Sequence, residues 1–224
     1  MHPFCTVLFD LDGTLVDAFT TLHRAYCHIL PQFGRPAPTA LEVRRAVGGG
    51  LEKAMSHFVP ADLVAEACRA HVAYTDKILL EDPVLYDGAA ELVSALHTQG
   101  IRTGVLTNKI GDHARAVLAH LGIAGQLDLI LGARDCAWRK PAAEFTAEAL
   151  RRIGGDAAHC CLVGDSPFDL TTARNAGLPC FCVTTGTHDE PALRAAGATS
   201  IFPNLHALAA AEFGITFYTQ RHKS

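Results

Sequence analysis

Two aspartates stand one residue apart directly after a short hydrophobic run near the N-terminus. The run TVLF (6–9) has the composition of a buried strand, and DLDGT (10–14) follows it at once. Because side chains two positions apart in an extended chain point to the same side, Asp10 and Asp12 are expected to face one site. One carboxylate can then act as a nucleophile or metal ligand and the other as a general acid and base.

Further polar residues stand beside three other predicted strands. Thr107 and Asn108 close the apolar run TGVLT, Lys140 precedes the helix that follows LDLIL, and GDSPFD (164–169) follows CCLV. In open α/β sheets, ligands bind at the carboxyl ends of the strands. We therefore expect these residues to join the two aspartates at one edge of a sheet.

Such a set of side chains suits phosphoryl transfer assisted by a metal. Crowded carboxylates repel one another, and oxygen ligands without His or Cys favour Mg²⁺. Lys140 and Thr107 offer the positive charge and the donor that a phosphoryl group needs. One of the two aspartates can then form an aspartyl-phosphate while the other protonates the leaving alkoxide. Gly13 allows the backbone N–H groups to turn closely around the anion.

The order of predicted elements places these residues in an α/β fold. Strands alternate with helices, which predicts a parallel sheet with helices on both faces. The predicted strands are 6–9, 103–107, 127–131, 160–163, 180–183 and 200–202. Residues 17–80 carry only helical patterns, interrupted by a capping box at 39–42 and a VGGG turn at 47–50.

The four motifs, in this order, closely resemble those of the haloacid dehalogenase (HAD) superfamily of phosphohydrolases. They are DLDGT at 10–14, Thr107-Asn108, Lys140-Pro141 and GDSPFD at 164–169. The resemblance implies a Rossmann-like core formed by 1–16 and 83–224. It also implies a small helical-bundle cap domain, residues 17–82, inserted after the first strand.

The resemblance also implies a role for each matching residue. Asp10 corresponds to the nucleophile and a metal ligand, and Asp12 to the acid and base whose backbone carbonyl is a second ligand. Asp165 corresponds to the third metal residue. Lys140 is assigned to catalysis and phosphate binding, Leu11, Thr107 and Asn108 to phosphate binding, and Gly13 and Asp169 to support of the site. Mg²⁺ is the implied cofactor.

Finer features are similar to the phosphoglycolate-phosphatase-like branch of the superfamily. They include LYDGAAELVSAL, VLTNK and GDSPFDLTTARNAG, and VGGG resembles the specificity loop of that branch. Residues beside that turn, Arg44, Arg45, Gly49 and Lys53, are candidates for substrate specificity in the cap. One departure concerns the branch motif Lys-Pro-x-Pro, because Ala143 replaces its second proline.

The sequence thus predicts a Mg²⁺-dependent phosphatase acting on a small phosphate monoester, either phosphoglycolate-like or a sugar phosphate. A phosphomutase would use the same residues and remains open. A receiver-like domain also has a phosphorylated Asp, a Thr and a Lys, but it has no helical insertion after the first strand. A non-catalytic phosphate-binding protein would be indicated by loss of Asp10, Asp12 or Asp165, and all three are present.

Composition restricts the partners further. The formal net charge of −4 gives no sign of a nucleic-acid or anionic-membrane partner, and no run of about 20 apolar residues suggests a membrane helix. The eight cysteines lack metal-binding spacing and suggest reduced thiols in a cytoplasmic protein. The expected partner is a small phosphorylated metabolite, while the oligomeric state stays open.

Overall fold

The computed structural model describes residues 3–217, and a six-stranded parallel sheet lies at its centre. In chain order the strands are β1 (Thr6–Phe9), β2 (Val16–Asp17), β3 (Val84–Leu85), β4 (Arg102–Ile110), β5 (Leu129–Ala133), β6 (Cys160–Gly164), β7 (Cys180–Val183) and β8 (Ser200–Phe202). The large sheet has the order β5-β4-β1-β6-β7-β8. The predicted α/β class is confirmed.

The described chain has ten α-helices, of which the first nine lie between strands and the last follows β8. They are α1 (Phe19–Ile29), α2 (Ala40–Ala46), α3 (Leu51–Met55), α4 (Val64–Ile78), α5 (Ala89–Thr98), α6 (Gly111–His120), α7 (Ala143–Ile153), α8 (Pro167–Ala176), α9 (Glu190–Ala195) and α10 (Leu205–Phe213). Each described helix is too short or too polar to cross a bilayer.

Alternating side chains of the central strand build a core on each face of the sheet. Val7 and Phe9 of β1 pack in one apolar cluster with residues of α5, α6 and α10. Leu8 points the other way and packs with residues of α7 and α8. This alternation follows from the two-residue repeat of a strand, and it buries β1 completely. The residue after β1 is therefore held at the middle of the sheet edge.

The strand order creates a crevice at that edge. β1 pairs with β4 on one side and with β6 on the other, and both pairings are parallel. The chain thus leaves β1 toward one half of the sheet and enters the other half through β6. Ligand sites in open α/β sheets lie at such a change of direction.

The helices between β1 and β4 have an apolar cluster of their own. Tyr26, Leu30, Val43, Met55 and Ala67 are its most deeply buried members. This helical segment (residues 19–78) is connected to the sheet through β2 and β3, which pair antiparallel.

The short β2–β3 ladder corrects one sequence expectation. The sequence predicts helical patterns alone over 17–80, whereas Asp17 pairs with Val84 in an extended conformation. A ladder of two residues per strand is too short to produce a recognisable periodicity. The two chain connections between the helical segment and the sheet therefore run side by side.

We predict that Phe145→Ala lowers the free energy of unfolding by about 3–5 kcal/mol, because Phe145 is fully buried against the sheet and its removal leaves a cavity. The matched surface variant is Leu41→Ala, since Leu41 is 54% exposed. It should change that free energy by less than about 0.5 kcal/mol. Urea unfolding of both variants tests this, and equal losses would contradict the described packing.

Candidate active site

Asp10 is fixed immediately after β1. Its backbone N–H donates to the carbonyl of Val163 at 2.8 Å, which extends the pairing of β1 with β6 by one residue. Its Oδ1 accepts a hydrogen bond from the N–H of Leu11 at 2.7 Å and lies 2.8 Å from Nζ of Lys140. The side chain is only 6% exposed, so its carboxylate is held in one orientation at the sheet edge.

The turn after Asp10 requires a glycine. The carbonyl of Leu11 accepts hydrogen bonds from the N–H groups of residues 14–16 at up to 3.2 Å, so the chain folds back sharply. Gly13 has φ = +96°, and a Cβ there would lie 2.6 Å from the carboxylate of Asp165. The backbone thus approaches the carboxylate cluster more closely than any side chain would allow.

Lys140 is a buried cation between two carboxylates. Its Nζ lies 2.8 Å from Asp10 and 2.7 Å from Asp169, and the side chain is 1% exposed. Burial acts to lower the pKa of Lys140, but the two carboxylates more than compensate and raise it above its ordinary value. Lys140 therefore carries its positive charge at neutral pH.

Asn108 positions Lys140 through the backbone. The Oδ1 of Asn108 accepts from the N–H of Lys140 at 2.9 Å, and its Nδ2 donates to the Lys140 carbonyl at 3.1 Å. The same Nδ2 donates to the carbonyl of Gly48 at 2.9 Å, which connects the sheet edge to the helical segment. Thr107, just before it, is buried and accepts from the N–H of Lys109 at 3.2 Å.

Asp169 supports the site from the first turn of α8. Its Oδ2 accepts from the hydroxyl of Ser166 at 2.6 Å and from the N–H groups of Asp165 and Ser166. Because Oδ1 is bound to Lys140, both oxygens already have partners. This geometry makes Asp169 a positioning residue.

Asp165 is held by two threonines that are not among the predicted site residues. Thr14 donates to its Oδ1 at 3.0 Å, while the hydroxyl and N–H of Thr187 both donate to its Oδ2 at 2.8 Å. Thr14 belongs to the DLDGT motif and was within reach of sequence reasoning. Thr187 follows β7 in a segment with no recognisable motif.

The carboxylates of Asp10, Asp165 and Asp169 form a possible metal site. One oxygen from each lies within 4.8 Å of the others. Burial raises the pKa of Asp10 to about 7, with Asp169 and Asp165 adding to the shift and Lys140 opposing it. Burial and Asp169 raise the pKa of Asp165 to about 6. A single lysine does not compensate this cluster, and an oxygen-only donor set fits a hard divalent cation.

Asp12 forms an ion pair that the sequence did not predict. Nζ of Lys109 lies 3.1 Å from one oxygen of Asp12 and 3.2 Å from the other. Both side chains are nearly buried, with 8% and 12% exposure for Lys109 and Asp12. Lys109 therefore holds the Asp12 carboxylate at the wall of the adjacent cavity.

A cavity of about 100 Å³ lies between the sheet edge and the helical segment. Asp10, Asp12 and Thr107 line it on the side of the sheet. Helices α1, α3 and α4 supply mainly apolar groups, together with one histidine, His71. The cavity thus has a charged floor and a largely apolar roof.

The four residues proposed to set specificity in the cap do not line this cavity. The guanidinium of Arg44 lies 4.3 Å from the ring centroid of Phe19, and Nζ of Lys53 lies 4.6 Å from that of Phe168. Each of these charges thus has an aromatic ring as its partner. Gly49 instead faces Phe168, where a Cβ would come within 2.7 Å of the ring. Arg45 is likewise absent from the cavity wall.

Comparison with known proteins agrees with this geometry. A profile of the haloacid dehalogenase-like hydrolase family matches residues 7–183. The chain belongs to this family, as the four motifs predicted, and it is an enzyme of the phosphoric monoester hydrolase class.

Within the family the chain is similar to phosphatases, and phosphoglycolate phosphatases are prominent among them. It is 33% identical over 213 residues to phosphoglycolate phosphatase of Rhodospirillum rubrum, a match covering 90% of this chain and 88% of the relative. It is 35% identical over 196 residues to a protein of Dickeya dadantii named probable phosphatase IndB, with 85% of each chain covered.

The fold also matches solved structures. A structure described as a predicted phosphatase from Clostridium acetobutylicum superposes with a TM-score of 0.87 and 23% identity, covering 95% of this chain and 99% of that one. At this identity the match concerns the fold, and it includes both the sheet and the helical segment.

We predict that ionisation of Asp10 destabilises the metal-free protein. The ordinary pKa of an aspartate is 3.8, and that of Asp10 in the folded protein is about 7. Its contribution to stability is therefore complete below about pH 4 and is lost as the pH rises to about 7. Asn at position 10 does not ionise, so Asp10→Asn does not lose stability in this pH range, while Asp169 still neutralises Lys140. At pH 8 in the presence of a metal chelator, the free energy of unfolding of the variant should be higher than that of the wild type by more than about 1 kcal/mol.

The same unfolding experiment examines metal binding. Mg²⁺ should stabilise the wild type more than Asp10→Asn, because binding to the native state alone shifts the equilibrium by mass action. Asp112→Asn is the control, since Asp112 is 89% exposed. If the free energy of unfolding of Asp10→Asn changed with pH and with Mg²⁺ in the same way as that of the wild type, the electrostatic account would be disproved.

Proposed function

We propose that this chain is a Mg²⁺-dependent phosphatase that hydrolyses a small phosphate monoester through an aspartyl-phosphate on Asp10. The observation that carries the proposal is the position of the Asp10 carboxylate. It is held by Lys140 at 2.8 Å, grouped with two further carboxylates, and lines a cavity that also reaches Asp12. Nucleophile, cation and proton donor thus meet at one end of one cavity.

Binding of the phosphoryl group is assigned to donors at the sheet edge. Lys140 supplies positive charge and the hydroxyl of Thr107 a hydrogen bond, and the N–H of Leu11 would turn from Asp10 to the anion. Asn108 contributes to phosphate binding by holding Lys140 in place. Asp10, Asp165 and the backbone carbonyl of Asp12 would hold Mg²⁺, which supplies positive charge to the transferring phosphoryl group. Gly13 lets the backbone pass close to the anion.

The reaction then proceeds in two steps that share one proton carrier. Asp10 attacks phosphorus, the ester P–O bond breaks, and the carboxyl group of Asp12 gives its proton to the leaving alkoxide. Water next attacks phosphorus of the aspartyl-phosphate and gives its proton to the Asp12 carboxylate. This releases phosphate and restores Asp10. Lys109 keeps Asp12 oriented toward the cavity throughout.

We also propose that residues 17–82 form a cap domain on a core of 1–16 and 83–224. A separate apolar cluster within the helical segment and its attachment through the paired strands β2 and β3 support this division. A hinge at these strands would let the cap close over the substrate and exclude water from the first step. The outermost residues of the core, 1–2 and 218–224, lie outside the described part of the chain.

The small cavity and the names of the relatives support a small substrate, phosphoglycolate-like or a sugar phosphate. A cytoplasmic location is part of the proposal, and the free thiols of all eight cysteines are consistent with it.

The test is phosphate release from a panel of esters that includes phosphoglycolate, sugar phosphates and nucleotides. We expect release with Mg²⁺, loss of release in chelator, and a fall in kcat of about 10³-fold or more for Asp10→Asn. Asp12→Asn should lower kcat by about 10²–10⁴-fold, since it removes the proton carrier.

The control for both variants is the exposed Asp112→Asn, which should keep the wild-type rate. Undiminished release by Asp10→Asn would refute the mechanism. Transfer of phosphate from one sugar position to another, without release to water, would identify the phosphomutase alternative instead.

A further inference from the structure

The roof of the cavity contains one buried nitrogen without a partner. His71 of α4 is only 3% exposed, lines the cavity, and its Nε2 makes no hydrogen bond within the described chain. Leaving a buried polar atom unpaired costs free energy, and an apolar side chain at this position would avoid that cost. We therefore expect a bound molecule to supply the hydrogen-bond partner of this nitrogen.

The orientation of the His71 ring is fixed by its neighbours. On one side, Nδ1 lies 3.3 Å from the hydroxyl of Thr75, one helical turn away. The ring also packs against Tyr26, with 4.7 Å between centroids. With Nδ1 occupied by its own helix, Nε2 is the ring atom left to meet a molecule in the cavity.

The ring is neutral under ordinary conditions. Burial, aided by the positive charge of Lys109 and by His113, lowers the pKa of His71 to about 4. A neutral imidazole forms hydrogen bonds without offering a charge. Lys109 is already paired with Asp12, and Nε2 of His113 is paired with Asp76 at 2.6 Å. Of these three groups, His71 alone has a buried nitrogen without a hydrogen-bond partner in the described chain.

We propose that His71 determines substrate specificity by hydrogen bonding through Nε2 to an oxygen on the leaving group of the ester. This rests on the proposed function, because it places the phosphoryl group at Asp10 and the alcohol portion under the helical segment. The preferred substrates are then phosphate esters of small alcohols that carry a second oxygen, as a hydroxyl or a carboxylate. The surrounding apolar side chains, such as Leu22 and Val72, offer no competing polar contact.

The two possible oxygens correspond to the two neutral tautomers of His71. If the hydroxyl of Thr75 donates to Nδ1, Nε2 carries the proton and suits a carboxylate. If Nδ1 donates to Thr75, Nε2 accepts from a hydroxyl. An N–H at Nε2 can also donate to a hydroxyl oxygen, so phosphoglycolate reports the first case alone and 2-hydroxyethyl phosphate reports both. Ethyl phosphate is the reference without a second oxygen.

A pair of amide variants isolates Nε2. The amide of His71→Asn reaches the position of Nδ1 and preserves the contact with Thr75, whereas that of His71→Gln reaches the position of Nε2. We expect His71→Asn to raise KM by about 10-fold or more for 2-hydroxyethyl phosphate, and also for phosphoglycolate when Nε2 carries the proton, with little change in kcat. KM for ethyl phosphate should stay within about 3-fold, and His71→Gln should retain most of the wild-type preference. Equal increases in KM for all three esters, or none for any, would overturn the proposal.

A second measurement works on the wild type and does not need turnover. With ¹⁵N-labelled histidine, the Nε2 resonance of His71 should shift when 2-hydroxyethylphosphonate or phosphonoacetate binds with Mg²⁺, and much less with ethylphosphonate. Identical shifts with all three phosphonates would refute the role of Nε2 even if the variants fail to fold. If the wild type hydrolyses no ester, the proposed function fails, and this measurement decides the role of His71 alone.

Discussion

The site depends on one buried ammonium group that bridges two carboxylates. Nζ of Lys140 lies 2.8 Å from Asp10 and 2.7 Å from Asp169, and all three side chains are buried. Burying these charges is unfavourable unless they meet with good geometry. The end of β1, the segment before α7 and the turn into α8 must therefore converge. One lysine still cannot balance three carboxylates, which is the physical reason to expect a divalent cation.

The sheet and the helical segment contribute different properties to the cavity. The sheet edge supplies charge, and its groups are fixed by strand pairing, as when Asp10 continues the ladder to Val163. The helical segment supplies mainly apolar groups and is connected to the sheet through the short β2–β3 ladder and the contact of Asn108 with Gly48. Under the proposed function, phosphoryl chemistry resides at the sheet edge and recognition of the alcohol in the helices.

Sequence reasoning predicted the α/β fold and the convergence of the four motifs because both follow from parallel-strand geometry. It missed the pairing of Lys109 with Asp12, although Lys109 closes the VLTNK run. It also missed Thr187 and His71, which belong to no motif and reach the site only in three dimensions. It proposed Arg44 and Lys53 for substrate specificity, and in the structure each of these charges lies over an aromatic ring. It also missed α10, because the run LHALAAAEF is apolar on nearly every side and has no amphipathic stripe.

The central claim is that Asp10 is the nucleophile that receives the phosphoryl group. The most direct measurement is rapid acid quenching during turnover, followed by peptide mass spectrometry to locate a phosphoryl group bound to carboxylate. The account predicts one phosphoryl group on the peptide containing residues 10–14, with none in Asp10→Asn. A phosphoryl group on another residue would contradict it, as would steady hydrolysis by the Asp10→Asn protein.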